Sequence, residues 1–155
     1  MTTTEPLAGA SLRSARSADL PGIEKLLTAS DLPLAGVADT LPGFVVAESD
    51  GEIVGTAALE VCCDNALLRS VAVAPSWRSR GLGRALVTRV IGDAEARGLR
   101  ALYLLTTTAE RYFPSFGFEA IARDQAPPDI RETEEFRGAC PASATVMCRQ
   151  CAAGT

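Results

Sequence analysis

The apolar positions change period several times along the chain, and each change predicts an element. Residues 11–16 alternate closely enough for a first strand, and Leu20, Ile23, Leu26 and Leu27 then recur at helical spacing. This predicts a helix over 18–29, capped by Ser17 and with Asp19 in its first turn. Residues 30–42 are broken by proline and glycine, so only a short helical turn in a loop is expected. Two apolar runs, 44–48 and 52–61, flank Ser49-Asp50-Gly51, and Asp-Gly between such runs is a hairpin signal. A second turn at Asp64-Asn65 leads into a strand marked by Leu67, Leu68, Val71 and Val73, which Pro75 ends. Leu86, Val90, Ile91 and Ala94 mark a helix over 83–97 that Gly98 stops.

Beyond that helix, 101–106 is a short apolar run suited to a buried parallel strand. Thr107 or Thr108 caps a brief helix expected through Phe116, with Pro114 weakening its second half. Gly117-Phe118 opens another strand, to about Ala122. Residues 123–139 are charged and contain Pro127-Pro128, which predicts a loop with one helical piece over 130–136, and 144–149 closes the sheet. Strands before the 83–97 helix come as hairpins, whereas those around it are joined through helices. An α/β (α+β) fold follows, with a mixed sheet that is antiparallel at its start and parallel at its centre. A length of 155 residues at 47% apolar composition suits one domain over 11–150, with tails at 1–10 and 151–155.

Charge and cysteine narrow the chemistry. A net charge of −4 argues against nucleic acid as a partner. No apolar run approaches the length of a membrane span, and the first ten residues lack a signal-peptide pattern, so the cytoplasm is the expected compartment. An odd number of cysteines, five, fits reduced thiols. Cys62, Cys63 and Cys140 are the thiols whose reactivity is in question; adjacent strand residues point to opposite faces, which places Cys62 and Cys63 poorly for holding one atom between them. Histidine is absent, which removes Ser-His and Cys-His catalysis and the commonest metal ligand, and no metal site is expected.

The stretch that organises the rest is 66–86. A buried strand runs into a basic turn with Gly81 and Gly83, carrying Arg78, Arg80 and Arg84, and the turn opens into a helix. Amides at a helix start seek acceptors outside the helix and carry the positive end of its dipole, so such a turn suits a pyrophosphate. The spacing is neither GxGxxG nor GxxxxGK followed by Ser or Thr.

Arg78-Ser79-Arg80-Gly81-Leu82-Gly83, after a strand ending Val-Ala-Val-x-Pro, resembles the Gln/Arg-x-x-Gly-x-Gly/Ala acetyl-CoA loop of the GNAT superfamily of N-acetyltransferases. The resemblance implies a domain whose two central parallel strands splay to admit acetyl-CoA as co-substrate. Its main-chain groups at Val71, Ala72 and Val73 would hold the pantetheine arm, and the amides of Arg78, Ser79, Arg80, Gly81, Leu82, Gly83 and Arg84 the pyrophosphate. Thr106 and Phe113 would complete the cofactor side. Tyr112-Phe113 followed by Gly117-Phe118 resembles the aromatic-Phe-x-x-x-Gly-Phe pattern of amino-acid N-acetyltransferases related to N-acetylglutamate synthase. With LLRSVAVAP and the 140–144 segment, the chain looks most like the small arsenic-resistance N-acetyltransferases, which suggests an amino-acid-like or organoarsenical acceptor. Two places depart from the common pattern: Leu67 stands where relatives carry a glutamate base, and Phe113 where they carry a tyrosine acid.

Acetyl transfer to an amine needs a proton acceptor but no covalent nucleophile. Glu60 is the candidate base, with a structural pair to Arg69 as its alternative. Arg69 is the candidate clamp on an anionic acceptor group, with an internal salt bridge as its alternative. Ser70, Arg131 and Ser143, with Arg137, are candidates for the rest of the acceptor pocket. The expected activity is acetyl-CoA dependent N-acetylation of a small anionic amine. Rivals are a non-catalytic acyl-CoA binding or sensing protein and an acetyltransferase for protein N-termini or lysines, and a homodimer is left open.

Overall fold

The computed structural model describes residues 9–78, 80–107, 109, 111–133, 135–139 and 143–151. Its strands pair in the order β1-β2-β3-β4-β5-β7-β6, where β1 is Ser11–Ser14, β2 Phe44–Ser49, β3 Glu52–Cys62, β4 Asn65–Val73, β5 Ala101–Thr106, β6 Glu119–Ile121 and β7 Thr145–Gln150. The helices are α1 Leu20–Ala29, α2 Val37–Thr40, α3 Leu82–Ala96 and α4 Pro128–Arg131. Among the described residues no helix is long and apolar enough to cross a membrane. Contacts divide the chain into a unit of Met1–Leu59 with Ser70–Val90 and a unit of Glu60–Arg69 with Ile91–Thr155.

In the first unit β1, β2 and β3 pair antiparallel, Ser11 opposite Glu48 and Phe44 opposite Ala58. Asp50 and Gly51, at φ 51° and 81°, turn the β2–β3 hairpin, the left-handed pair that a two-residue turn needs to match strand twist. The apolar stripe of α1, Ile23, Leu26 and Leu27, packs with Val37, Phe44, Val46, Ala58 and Ala72. The predicted helix start is corrected: 17–19 forms a 3-10 turn, and α1 begins at Leu20 with Pro21 beside its start. Ser17 does not cap α1; Asp19, last residue of the 3-10 turn, instead bonds back to the start of that turn. Its Oδ2 accepts from the Arg16 amide at 2.7 Å, and Arg13 donates to both its oxygens.

In the second unit β5 is central. It runs parallel to β4, with Asn65, Ala66 and Leu67 opposite Ala101, Leu102 and Tyr103, and antiparallel to β7, which pairs antiparallel with β6. Leu67, Ala101, Tyr103, Ala126 and Ile130 form its core cluster. The mixed sheet is therefore as expected, antiparallel at its start and with a parallel pair at its centre. Three local expectations are corrected. The turn before β4 is at Cys63-Asp64, with Cys63 at φ 58°. Of the helix expected through Phe116, the described residues form a 3-10 turn at Phe113–Phe116 with proline in its first turn, and the candidate cap Thr108 lies outside the described residues. The helical piece placed at 130–136 is instead α4, begun by Pro128 at a first-turn position, followed by a wide π-type turn at Glu135–Ala139.

Candidate active site

The loop between β4 and α3 is built from its backbone. Ala74 N donates to Val54 O at 2.8 Å, and Pro75–Trp77 forms a 3-10 turn closed by Trp77 N to Ala74 O at 2.8 Å. Arg78 folds back so that its Nε donates to Val73 O at 3.0 Å, and the Arg80 guanidinium lies over the Trp77 ring, 4.8 Å from its centroid. Gly81 sits at φ 85°, and a β-carbon there would meet no atom within 4 Å. The main chain is thus bare at the point where α3 begins, and Ala85 N to Gly81 O at 3.0 Å starts the helix. Leu82, 1% exposed, pins that start to the core, while Arg78, Arg80 and Arg84 are exposed. Exposed guanidinium groups around a bare main-chain turn at the head of a long helix fit a diphosphate by charge and by access. Ser79 lies outside the described residues.

The strand entering this loop is irregular. Ser70 adopts φ 59°, a left-handed conformation that costs a non-glycine residue roughly 1 kcal/mol or more. Its carbonyl accepts from Thr56 Oγ1 at 2.7 Å, with both residues buried. Val71 and Val73 are half-buried and Ala72 is buried; the Val73 carbonyl is the acceptor already used by Arg78.

Arg69 is the most enclosed charge among the described residues of the second unit. Its side chain has no exposure; Nη1 pairs with Glu60 Oε1 at 3.0 Å and Nε with Glu135 Oε2 at 3.3 Å. The arrangement present is that of an internal salt bridge, and it holds the candidate base Glu60 through one of its oxygens. Glu135 carried no signal in the sequence, where it is one acidic residue in a charged loop. Its role exists only because the Glu135–Ala139 turn brings it to Arg69.

The other candidates are dispersed in kind. Thr106 ends β5, and its Oγ1 accepts from Ala109 N at 2.9 Å. Phe113 is buried, edge-on to Tyr112 and Phe118 with centroids at 5.2 and 5.7 Å. Leu67 is fully buried, so neither departure from the common pattern offers a titratable group. Arg131, exposed, donates from Nε to Ala126 O at 3.0 Å; Arg137 and Ser143 are exposed, and Cys140 lies outside the described residues. Burial, then the charge of Glu60, pushes the Cys62 thiol up to about 11, and a hydrogen bond to Asp129 raises that of exposed Cys63. Burial likewise pushes the Tyr103 phenol up to about 12.

Comparison with known proteins names the class to which this fold belongs. The profile of the acetyltransferase (GNAT) domain family matches residues 41–120, just over half of the chain, and the chain belongs to that family. The chemistry of this family uses acetyl-CoA as co-substrate.

More particular likenesses point one way. The chain is 28% identical over 139 residues to an amino-acid acetyltransferase of Neisseria meningitidis, covering 83% of this chain and 31% of that protein. It is 34% identical over 86 residues to an amino-acid acetyltransferase of Aeromonas salmonicida, covering 54% and 20%. Among solved structures, N-acetylglutamate synthase from Neisseria gonorrhoeae, complexed with coenzyme A and N-acetyl-glutamate, superimposes with a TM-score of 0.80 at 26% identity, over 94% of this chain and 36% of that one. A Mycobacterium tuberculosis protein in complex with CoA gives 0.77 at 25% identity, over 90% and 98%. The chain spans less than a third of the length of these curated relatives.

Proposed function

We propose that this chain is an acetyl-CoA dependent N-acetyltransferase, one catalytic domain over 11–150, acting on the amine of a small amino-acid-like acceptor in the cytoplasm. The observation that carries the reading is the turn at Gly81, where main chain bare of side chain heads α3 among exposed arginines. The 78–84 loop holds the diphosphate through its amides and the guanidinium groups of Arg78, Arg80 and Arg84, and main chain at 71–73 takes the pantetheine arm. Thr106 and Phe113 border the cofactor. Glu60, held by Arg69, accepts one proton of the ammonium directly or through water; the neutral nitrogen attacks the thioester carbonyl carbon, the carbon–sulfur bond breaks, and coenzyme A leaves as a thiolate that takes up the second proton shed by the acylated nitrogen. Arg69 orients the acceptor together with Glu60, and Ser70, Arg131 and Ser143 surround its acidic group. Support for an amino-acid acceptor comes from the relatives, which are amino-acid acetyltransferases. An organoarsenical analogue of such an acceptor is the finer form of the same proposal, resting on the resemblance carried by the LLRSVAVAP and 140–144 segments with the Tyr112-Phe113 to Gly117-Phe118 block.

The test is release of free coenzyme A from acetyl-CoA with a panel of amines that includes glutamate, other amino acids, and their arsenic and phosphorus analogues. Turnover of one amino-acid-like amine is the expected result. Burial of Leu67 and Phe113 at the usual base and acid positions favours a second reading, an acyl-CoA sensor. Acetyl-CoA binding in calorimetry with no turnover across the panel selects it.

A further inference from the structure

Resting on the acyl-transfer reading, the ion pairs around Arg69 carry a consequence for the acceptor. A fully enclosed guanidinium needs one carboxylate to offset its charge, and here two are supplied. They come from distant parts of the chain, Glu60 near the end of β3 and Glu135 at the start of the turn after α4. The segment leading into that turn is anchored by burial and hydrogen bonds. Ile130 is fully buried in the cluster with Leu67 and Tyr103; Thr133 Oγ1 donates to Ile130 O at 2.8 Å and accepts from Phe136 N at 3.4 Å. Glu135 is nearly as enclosed as Arg69, with 6% of its side chain exposed against 24% for Glu60. These three side chains carry one positive and two negative charges between them, and the carboxylate of the two that reaches solvent is Glu60.

We infer that Glu135 is a positioning residue: by holding Arg69 through Nε and cancelling its charge, it leaves Glu60 as a carboxylate that receives the acceptor's ammonium group, so that the acceptor's carboxylate is not bound by Arg69. The site then selects a primary amine in its cationic form and passes one proton from it to Glu60 before transfer. Removing the Glu135 charge while keeping its shape releases part of the Arg69 charge, and the site becomes more receptive to an anion.

Two measurements on the full chain test this. The first is the ratio of kcat/KM for L-glutamate to that for its α-amide, isoglutamine, in the wild type, Glu135→Gln and Glu135→Asp. Glu135→Gln shifts the ratio toward glutamate by about tenfold, through KM, and Glu135→Asp returns it toward the wild-type value. An unchanged ratio with a lowered Tm makes Glu135 a mere anchor of its turn and overturns the inference. The second is a thermal double-mutant cycle of Glu60→Gln and Glu135→Gln. Losing both carboxylates strands a buried guanidinium, so the double variant loses at least about 4 °C more than the two single losses summed; additive losses overturn the inference without any assay of activity. Turnover with an unchanged ratio removes the role of Glu135 alone. A wild type that binds acetyl-CoA but acetylates no amine removes the acyl-transfer reading and the inference with it.

Discussion

Asp19 illustrates how one buried carboxylate ties sequence-distant segments together. It accepts from Arg13 at 2.7 and 2.9 Å and from the Arg16 amide, while Arg13 reaches Glu48 on β2 at 2.8 Å. The Arg13 hydrogen bonds, opposed by burial and helped by the Arg16 amide, hold its carboxyl down at about 2, below its ordinary 3.8. A folded value below the unfolded one means stability that is fully present above about 4 and is lost as pH falls toward 2. Asp19→Asn is expected to flatten the fall of the urea midpoint between pH 4 and pH 2; a fall as steep as the wild type's would deny Asp19 this role. At Gly81, a valine brings strain of roughly 1–2 kcal/mol at φ 85° and places a side chain over the bare turn. Isothermal calorimetry should show acetyl-CoA affinity lowered at least about tenfold with the circular dichroism spectrum unchanged; retained affinity would displace the diphosphate from this loop. Cys62, pushed up to about 11, carries at pH 8 about one thiolate per thousand. Mass spectrometry after brief iodoacetamide treatment should find it the slow cysteine relative to a free thiol, and rapid labelling would contradict its burial.

At the scale of elements, two glycines show opposite constraints. Gly43 joins the 3-10 turn after α2 to β2, and a β-carbon there would collide with the Leu59 carbonyl of β3. A backbone oxygen cannot rotate aside, so Gly43→Ala is expected to lower unfolding free energy by about 3 kcal/mol or more in denaturant titration. Gly92 lies in α3, where an added β-carbon meets nothing within 4 Å. Gly92→Ala is expected to raise stability by about 0.5–1 kcal/mol, through helix propensity and a less flexible unfolded chain. Equal effects of the two would mean that strand contact does not set the value at Gly43. The end of α3 follows the same local logic: Gly98, at φ 75°, lets Leu99 N reach back to Ala94 O at 3.1 Å.

For the whole molecule, binding is the simplest global readout. A ligand that binds only the folded chain stabilises it by about 2.7 kcal/mol at a hundred times its Kd, which for a chain of this size is a rise of about 5–10 °C in Tm. Acetyl-CoA should give that shift in differential scanning fluorimetry, and Gly81→Val should remove it. A full shift in the variant would mean that the coenzyme docks elsewhere.

By itself the sequence determined the features whose causes are local. Asp50-Gly51 sets a hairpin, Gly98 a helix stop, the Ile23, Leu26 and Leu27 stripe a packed helix, and the Gly81 turn a basic loop before α3, because backbone permissiveness and hydrophobic period are written within a few residues. Glu60 and Arg69 were legible as a pair because they belong to successive strands. Tertiary structure alone decided the third member. Glu135 meets Arg69 in a structure where α4 is anchored by its buried Ile130 ahead of the turn that carries Glu135, and no periodicity links residues so far apart. The left-handed Ser70 was equally hidden, since serine has no preference for that conformation and it exists where the buried hydroxyl of Thr56 holds its carbonyl across the strands.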